Sequence, residues 1–376
     1  MSGRRGRGRG RGSKLWRSRV TPYPPPRIIR PIFDWTEVGD HFPRATPPLD
    51  TSLLSQLLTK RIQEITPSSD EQAIVQGFCT KVISLVENMI LTGEGENLVL
   101  DEIRLVGSHK KGDALAGNMV ADLVVLLREV PTEALVSNLS DKLVELLNSS
   151  QKTQVTYNRL SPYVFELINS DKAVTRIMAT STGDKVYQAP YDEELMKPFT
   201  HALRMIRHAK WWEDNTSHIK IVRSLVRILK DLQRHVPGLS HLNSWYIELL
   251  CNCAMIPLRG DEPLSIVDSF RRIFMLLSAG LFLPGSIGIP DPCEESDDGI
   301  HDNLALHHCD ELTRNAQTIL QLLHLGAFKD VLHIDGASAN FTDANVVGEV
   351  TISVAQPVCE KAQTQDIVLA RTQEVQ

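Results

Sequence analysis

The sequence predicts an α+β fold in which a mixed β-sheet with helices is followed by an all-α subdomain. Short apolar segments typical of strands occur between residues 97 and 181, where they alternate with segments of helical periodicity. After about residue 190 the strand-like segments largely stop and amphipathic helices follow one another. With 376 residues and 42% hydrophobic content, the chain can bury a sizeable core as a soluble globular protein.

The chain begins with the low-complexity segment "RRGRGRGRGRG". This segment has little to bury and its like charges repel one another, so residues 1–27 are predicted to be a disordered Arg/Gly-rich arm. Residues 21–48 hold eight of the twenty prolines and cannot form a helix or a central strand. Because they also carry apolar side chains, we expect a strap on the folded surface that starts the domain at residue 28; these are Ile28, Ile29, Ile32, Phe33, Trp35 and Phe42.

The elements of the first subdomain, residues 28–190, follow from their periodicity. One helix begins near Asp50, and Ser69 with Gln72 predicts a capping box that starts a second helix. Strands are predicted at 97–106 and 120–127, followed by an amphipathic helix. The segments "YVFELI" and "AVTRIMATS" flank the turn sequence "NSDK" and predict a hairpin.

The second subdomain, residues 191–340, is predicted to be helical throughout. The segment "GEVTISVAQP" at 348–357 predicts a late strand that returns to the first sheet, within residues 341–362. Residues 363–376 are expected to be a flexible tail.

Charge is distributed unevenly along the chain. Residues 1–33 contain nine Arg, one Lys and no acid, whereas the remaining 343 residues carry 30 basic and 46 acidic residues, a net charge of −16. A basic arm on an acidic body suits a polyanion, and the arm is predicted to contact RNA without sequence preference. A nuclear-import or solubilising tail is the alternative. The arginines concerned are Arg4, Arg5, Arg7, Arg9 and Arg11.

Composition also excludes several classes of protein. No segment looks long and apolar enough for a membrane span, and the N-terminus lacks the apolar region of a secretory signal, so we expect an intracellular protein without a membrane partner. The six cysteines follow no repeating framework, which favours reduced thiols.

The segment "VGSHKKGDALAGNMVADLVVLL", residues 106–127, predicts a phosphate-binding turn followed by a buried strand that carries one acid. Gly107 lets the backbone approach a phosphate, Ser108 offers a hydroxyl and an amide, and Asp122 is predicted to lie beside them. Two-metal phosphoryl transfer needs a second carboxylate at the alternate strand position, where this chain has Val124. These residues therefore predict the outline of a phosphate site with no catalytic residue.

Two further questions concern the predicted phosphate site. The strand "AVTRIMATS" supplies no third acid, and Glu166 on the preceding strand is interpreted as a solvated residue. Asp122 is expected to satisfy backbone amides or a basic side chain. Two interpretations of His109, Lys110 and Lys111 remain open. Either they bind a nucleotide without turnover, or they belong to an exposed basic helix start or loop.

No metal and no cofactor is expected. Cys251 and Cys253 fall in an apolar helix, and the "HHC" run at 307–309 lies near Cys293 and His301 without the paired spacing of a structural zinc site.

The apolar segment "MLLSAGLFLPGSIGIP", residues 275–290, contains no charge and is predicted to contribute to a protein interface, with intramolecular core as the alternative. Of two adjacent tryptophans, one is expected to pack inside and the other to anchor the interface. The interface candidates are Trp211, Trp212, Leu281, Phe282, Leu283 and Ile287.

Four stretches resemble the DZF domain in the same order: residues 106–127, "ALRMIRHAKWWEDN", "VRILKDLQRHVPGL" and "LSAGLFLPGSIGIPDPCE". The likeness covers about residues 28–362, and the fold resembles template-free nucleotidyltransferases of the oligoadenylate-synthetase type. It implies a nuclear pseudo-nucleotidyltransferase that forms a heterodimer, through its helical half, with a larger DZF protein bearing double-stranded-RNA-binding domains. This sequence departs from the family at residues 340–376, which lack a long acidic run.

The resulting expectation is a non-enzymatic subunit, located in the nucleus, that acts in RNA binding and in regulation of transcription and RNA processing. An active metal-dependent nucleotidyltransferase is the alternative. No helix carries an Arg and Asn face suited to base edges, so contact with DNA is expected only through partners.

Overall fold

The computed structural model describes residues 51–93, 99–149, 154–188, 193–216, 219–256, 263–294 and 304–359. The predicted arm, the strap and the tail at 363–376 lie outside these residues.

A five-stranded mixed sheet forms the first half of the described chain, as predicted. Its strands are β1 (Leu100–Val106), β2 (Val120–Leu127), β3 (Thr156–Ser161), β4 (Val164–Ile168) and β5 (Val174–Ser181). Their order is β1-β2-β5-β4-β3, with β2 and β5 parallel and the other neighbours antiparallel. The predicted hairpin is confirmed as β4 and β5, whereas the edge strand β3 was missed because its mostly exposed side chains show no alternation of buried and exposed positions.

Two long helices cover one face of the sheet, α2 (Ser69–Thr92) and α4 (Glu133–Ser149). The capping box of α2 uses Ser68 and Glu71, one residue earlier than the predicted Ser69 and Gln72. By length and composition alone α2 could cross a membrane, so the expectation that no segment approaches such a span was too strict. One face of α2 packs into the sheet core, as in a helix of a globular domain.

The opposite face of the sheet is covered by α6 (Glu193–Thr216), which follows the short helix α5 (Gly183–Gln188). Ala202 and Ala209 of α6 pack in one cluster with Val106, Val124 and Met178 of the sheet. The predicted boundary at residue 190 assigned α6 to the helical half, and its packing instead favours a division after α6.

The helical half consists of α7 (Lys220–Leu232), a 3₁₀ helix (Pro237–His241), α8 (Ser244–Met255), α9 (Ile266–Ser278), α10 (Leu306–His324) and α11 (Phe328–Leu332). Helix α1 (Ser52–Ile65) packs in this same core although it precedes the sheet in sequence, so it does not belong to the sheet subdomain to which 28–190 assigned it. At Gly238 the 3₁₀ helix touches the backbone of α10, because an added Cβ would lie 2.6 Å from the Cα of Leu312.

The late strand exists. Contrary to the prediction from the sequence, it does not return to the first sheet. Strand β7 (Val350–Ser353) pairs with β6 (Ala344–Val347) in a separate two-stranded sheet. The prediction was wrong because an alternating segment specifies a strand without specifying its partner.

Candidate functional site

The predicted residues Gly107 and Asp122 meet at the end of β1. In the antiparallel pairing of β1 and β2, Val106 lies opposite Asp122, so the chain that continues into the short helix α3 (Gly107–Lys111) passes over that carboxylate. Gly107 has a φ of 71°, and a Cβ added there would lie 2.2 Å from Oδ2 of Asp122. Glycine is therefore required both by the backbone conformation and by the close contact.

Val124 occupies the place predicted for the second carboxylate, and it is a core residue. Its side chain is fully buried with Ala202, Met178 and other apolar residues between the sheet and α6. A carboxylate at this position would lose its hydration beneath α6, which is costly for a charged group.

Arg176 lies between two carboxylates on three adjacent strands. It is in register with Asp122 on β2 and with Glu166 on β4. One terminal nitrogen of Arg176 is 3.3 Å from Oδ1 of Asp122, and its Nε and other terminal nitrogen are 3.0 and 2.9 Å from Oε1 of Glu166. The expectation of a basic partner for Asp122 is met, whereas the interpretation of Glu166 as a solvated residue was wrong, since its side chain is only 12% exposed.

Burial is the largest influence on the pKa of Asp122 and on that of the nearby His201. Desolvation raises the pKa of Asp122, and the positive charge of Arg176 partly opposes that rise. Burial lowers the pKa of the nearby His201 on α6, which favours a neutral imidazole. Arg176 is thus the neighbouring cation that most strongly opposes the effect of burial on Asp122.

Ser108 is held by a buried ionic network that the sequence did not reveal. Nζ of Lys230 on α7 donates to Oγ of Ser108 and to Oδ1 of Asp113, each at 2.9 Å. Nζ of Lys111 donates to Oε2 of Glu248 on α8 at 2.5 Å. Lys230 follows Val226 by four residues on the buried face of α7, and this position was the available signal.

The basic residues of α3 do not form one exposed surface. Lys111 is buried against Glu248, which contradicts its interpretation as part of an exposed basic loop. Lys110 is exposed and pairs with Glu213, and Nε2 of His109 lies 3.0 Å from Oε1 of Gln76. The three residues therefore face different partners.

The interface candidates separate into core and surface residues. Leu281 and Phe282 are buried within the described chain, which fits the alternative of intramolecular core and contradicts their prediction as interface residues. Trp212, also an interface candidate, is buried too, as expected for one of the two adjacent tryptophans. Trp211 and Leu283 are partly buried against the same core, while Ile287 is 56% exposed. Ile287 is thus the candidate with the most accessible side chain.

All six cysteines are free. Cys251 and Cys253 are buried in α8 and Cys309 is buried in α10, while His301 lies outside the described residues. The described residues instead bring together His208, Asp291 and Cys293, whose potential ligand atoms lie within 4.8 Å of one another. This group was missed because 83 residues separate His208 from Asp291 in the sequence.

Comparison with known proteins agrees with this architecture. Residues 18–217 match the model of the DZF N-terminal domain, and residues 221–370 match that of the DZF C-terminal domain. Two structures of E. coli MS115-1 CdnC, one in complex with HORMA-deltaN and one with ATP, superpose with TM-scores of 0.53 and 0.52. Each is 13% identical, and the matches cover 75% and 76% of this chain and 98% of the CdnC chains. They confirm the nucleotidyltransferase-like α+β fold with a helical C-terminal part.

A weaker match is the structure of Cid1 in complex with the UTP analog UMPNPP. Its TM-score is 0.41 at 13% identity, covering 61% of this chain and 74% of Cid1. This similarity is too low to add to the fold assignment.

Replacing Arg176 with methionine is expected to destabilise the protein by about 1–2 kcal/mol at pH 7, because two partly buried carboxylates lose their cation. A carboxyl group with a raised pKa disfavours the folded state once it ionises, so the loss should shrink as the pH falls from 7 toward about 5. Urea unfolding at several pH values measures both effects.

Arg104→Met is the matched control, because Arg104 pairs with Glu102 on the exposed edge strand β1. It should change stability little at any of these pH values. Equal losses in the two variants would contradict the role given to Arg176.

Proposed function

Since the chain belongs to the DZF family, we propose that it is a catalytically inactive nucleotidyltransferase-fold subunit that forms a heterodimer with a double-stranded-RNA-binding DZF protein. In this proposal the complex binds RNA in the nucleus and regulates transcription and RNA processing. The sequence resemblance to interleukin enhancer-binding factor 2, the 45 kDa nuclear factor, supports this finer assignment and the relation to the oligoadenylate-synthetase type.

The observation that carries inactivity is the burial of Val124 beneath α6. Two hard cations need several oxygen ligands, and valine supplies none at the position where a strand would offer the second carboxylate. The ion pairs of Arg176 add to the argument, because its guanidinium group already pairs with both Asp122 and Glu166. A divalent cation would have to compete with an arginine fixed in register on the central strand β5.

The alternative is an active metal-dependent nucleotidyltransferase that uses Asp122. Purified protein incubated with labelled nucleotides, an RNA acceptor and Mg²⁺ or Mn²⁺ separates the two. We expect no incorporation above background with the wild type or with Asp122→Ala. Metal-dependent incorporation by the wild type, with its loss in Asp122→Ala, would contradict the proposal of a catalytically inactive subunit.

RNA contact is assigned to the arginine-glycine arm. The arm joins an acidic body, so the positive charge available for phosphates is concentrated in the first 33 residues. Arginine pairs with phosphate and stacks on bases, and a flexible glycine-rich backbone allows both without sequence preference. Any contact with DNA is assigned to partners.

Replacement of Arg4, Arg5, Arg7, Arg9 and Arg11 with glutamine should weaken single-stranded RNA binding and reduce the slope of log K against log salt. If all five contact phosphates, the slope falls by about 3.5 at roughly 0.7 per contact. Electrophoretic or fluorescence titrations at several salt concentrations measure this. A five-lysine variant keeps the charge and should retain most of the slope, whereas unchanged affinity in the glutamine variant would reject the arm as the RNA contact.

The heterodimer is assigned to the helical half near residues 281–290. Within this segment Leu281 and Phe282 already support the chain's own core, which leaves Ile287 and the partly buried Leu283 and Trp211 for a partner. An apolar side chain that is exposed in the single chain, such as Ile287, is a candidate for burial in a protein interface.

Ile287→Glu should lower the affinity for a co-expressed DZF partner at least about ten-fold, since a charge would be buried at the interface. Co-purification followed by titration of the separated chains measures the loss. Leu91→Glu on α2 is the control, because Leu91 is 83% exposed and lies on the sheet half. Unaltered affinity in a folded Ile287→Glu protein would place the interface elsewhere.

A further inference from the structure

From the convergence of His208, Asp291 and Cys293, we propose a site for a single zinc ion between α6 and the segment that precedes residue 295. The ligand atoms of these residues lie within 4.8 Å of one another, and Nε2 of His208 is 3.9 Å from Oδ2 of Asp291. Zinc with nitrogen, oxygen and sulfur ligands at about 2.0–2.3 Å needs ligand atoms about 3.4–3.7 Å apart. Each pair of ligand atoms would therefore have to approach by at most about 1.1–1.4 Å to bind the ion.

The imidazole of His208 lies at this site and has a ring nitrogen that can bind a metal ion. Its side chain is only 10% exposed, and Nε2 has no hydrogen-bond partner among the described residues. Stacking on the indole of Trp245, with centroids 3.9 Å apart, fixes the plane of the ring. A neutral imidazole coordinates a metal ion through its unprotonated ring nitrogen.

Asp291 and Cys293 are positioned by the backbone and by their neighbours. Prolines at 290 and 292 flank Asp291 and restrict the backbone of the segment. Oδ1 of Asp291 accepts from the backbone N–H of Cys293 at 2.9 Å, and Oδ2 accepts from Nε1 of Trp245 at 2.9 Å. Each carboxylate oxygen keeps a second lone pair, so these hydrogen bonds orient the carboxylate and leave it able to bind a metal ion.

The charges are balanced for a divalent cation. Zinc with the Asp291 carboxylate, the Cys293 thiolate and a neutral His208 gives a site of zero net charge. The nearby cations Arg204 and Arg207 both pair with Glu294, at 3.1 and 2.7 Å, which offsets part of their repulsion of the metal. The set of one nitrogen, one oxygen and one sulfur ligand favours zinc over magnesium or calcium.

The role assigned to the ion is structural. The ion would connect two parts of the chain. One is α6, which covers the sheet, and the other is the segment that follows the apolar residues 275–290. The fourth coordination position is available to water. This role is independent of nucleotide transfer, RNA binding and the partner chain.

The test uses the purified full chain, stripped of metal and titrated with Zn²⁺ against a chromophoric chelator, and in parallel with Co²⁺. We expect one zinc ion per chain, a thiolate-to-cobalt charge-transfer band and a higher thermal unfolding temperature with zinc. Cys293→Ser should remove the band and weaken zinc binding at least about ten-fold. Asp291→Asn should weaken zinc binding, while its amide oxygen keeps one of the two hydrogen bonds that Asp291 accepts.

Cys359→Ser is the matched control, since Cys359 is also a partly exposed free thiol and should leave binding unchanged. Circular dichroism of the metal-free variants shows that each is folded before titration. Absence of stoichiometric zinc in the wild type overturns the proposal. A cobalt band that persists in folded Cys293→Ser, or that is lost equally in Cys359→Ser, overturns it as well.

Discussion

The buried charges that join the two halves of the molecule constrain the rest of the structure. Lys111 follows the first strand of the sheet, while Lys230 and Glu248 lie on α7 and α8 of the helical half, and Asp113 completes the group. Burial raises the pKa of Glu248, and the two lysines oppose that rise. Removing one member would leave a buried charge without its counterion, at a cost of about 3–5 kcal/mol. The turn after β1 is therefore fixed by the helical half, and with it the positions of Gly107 and Ser108.

Once this turn is fixed, the polar groups of the predicted phosphate site find their partners inside the protein. Ser108 accepts from Lys230, and Asp122 and Glu166 share Arg176. Groups that are already paired gain less from a ligand, because binding must first replace the existing hydrogen bonds. These pairings mean that the charged groups of the predicted site stabilise the fold. They also give the strand acid Asp122 a counterion beneath α6.

Much of the fold could be predicted from the sequence because its signals are local. The strands of the sheet core and the amphipathic helices follow from periodicity, and the Gly107, Ser108 and Asp122 grouping follows from a strand, a turn and a strand close in sequence. Partners distant in sequence could not be predicted. Glu166 looked exposed because the pattern of the predicted hairpin does not give the register that places it opposite Arg176, ten residues away. Lys111 looked like part of a basic loop because its counterion Glu248 is 137 residues away. Helix α1 and strand β7 were misplaced for the same reason, since a pattern specifies an element and leaves its packing partner open.

Gly107 shows how a functional motif and a structural requirement can coincide. A glycine before serine at the end of a strand is typical of phosphate binding, and the sequence was interpreted in that way. In the structure the same glycine is needed because its backbone is left-handed and because Oδ2 of Asp122 occupies the space of a side chain. Any larger residue would displace Asp122 from Arg176 and disturb the row of charges on β2, β5 and β4. The presence of Gly107 is therefore explained without a nucleotide, and the motif by itself carries no evidence for one.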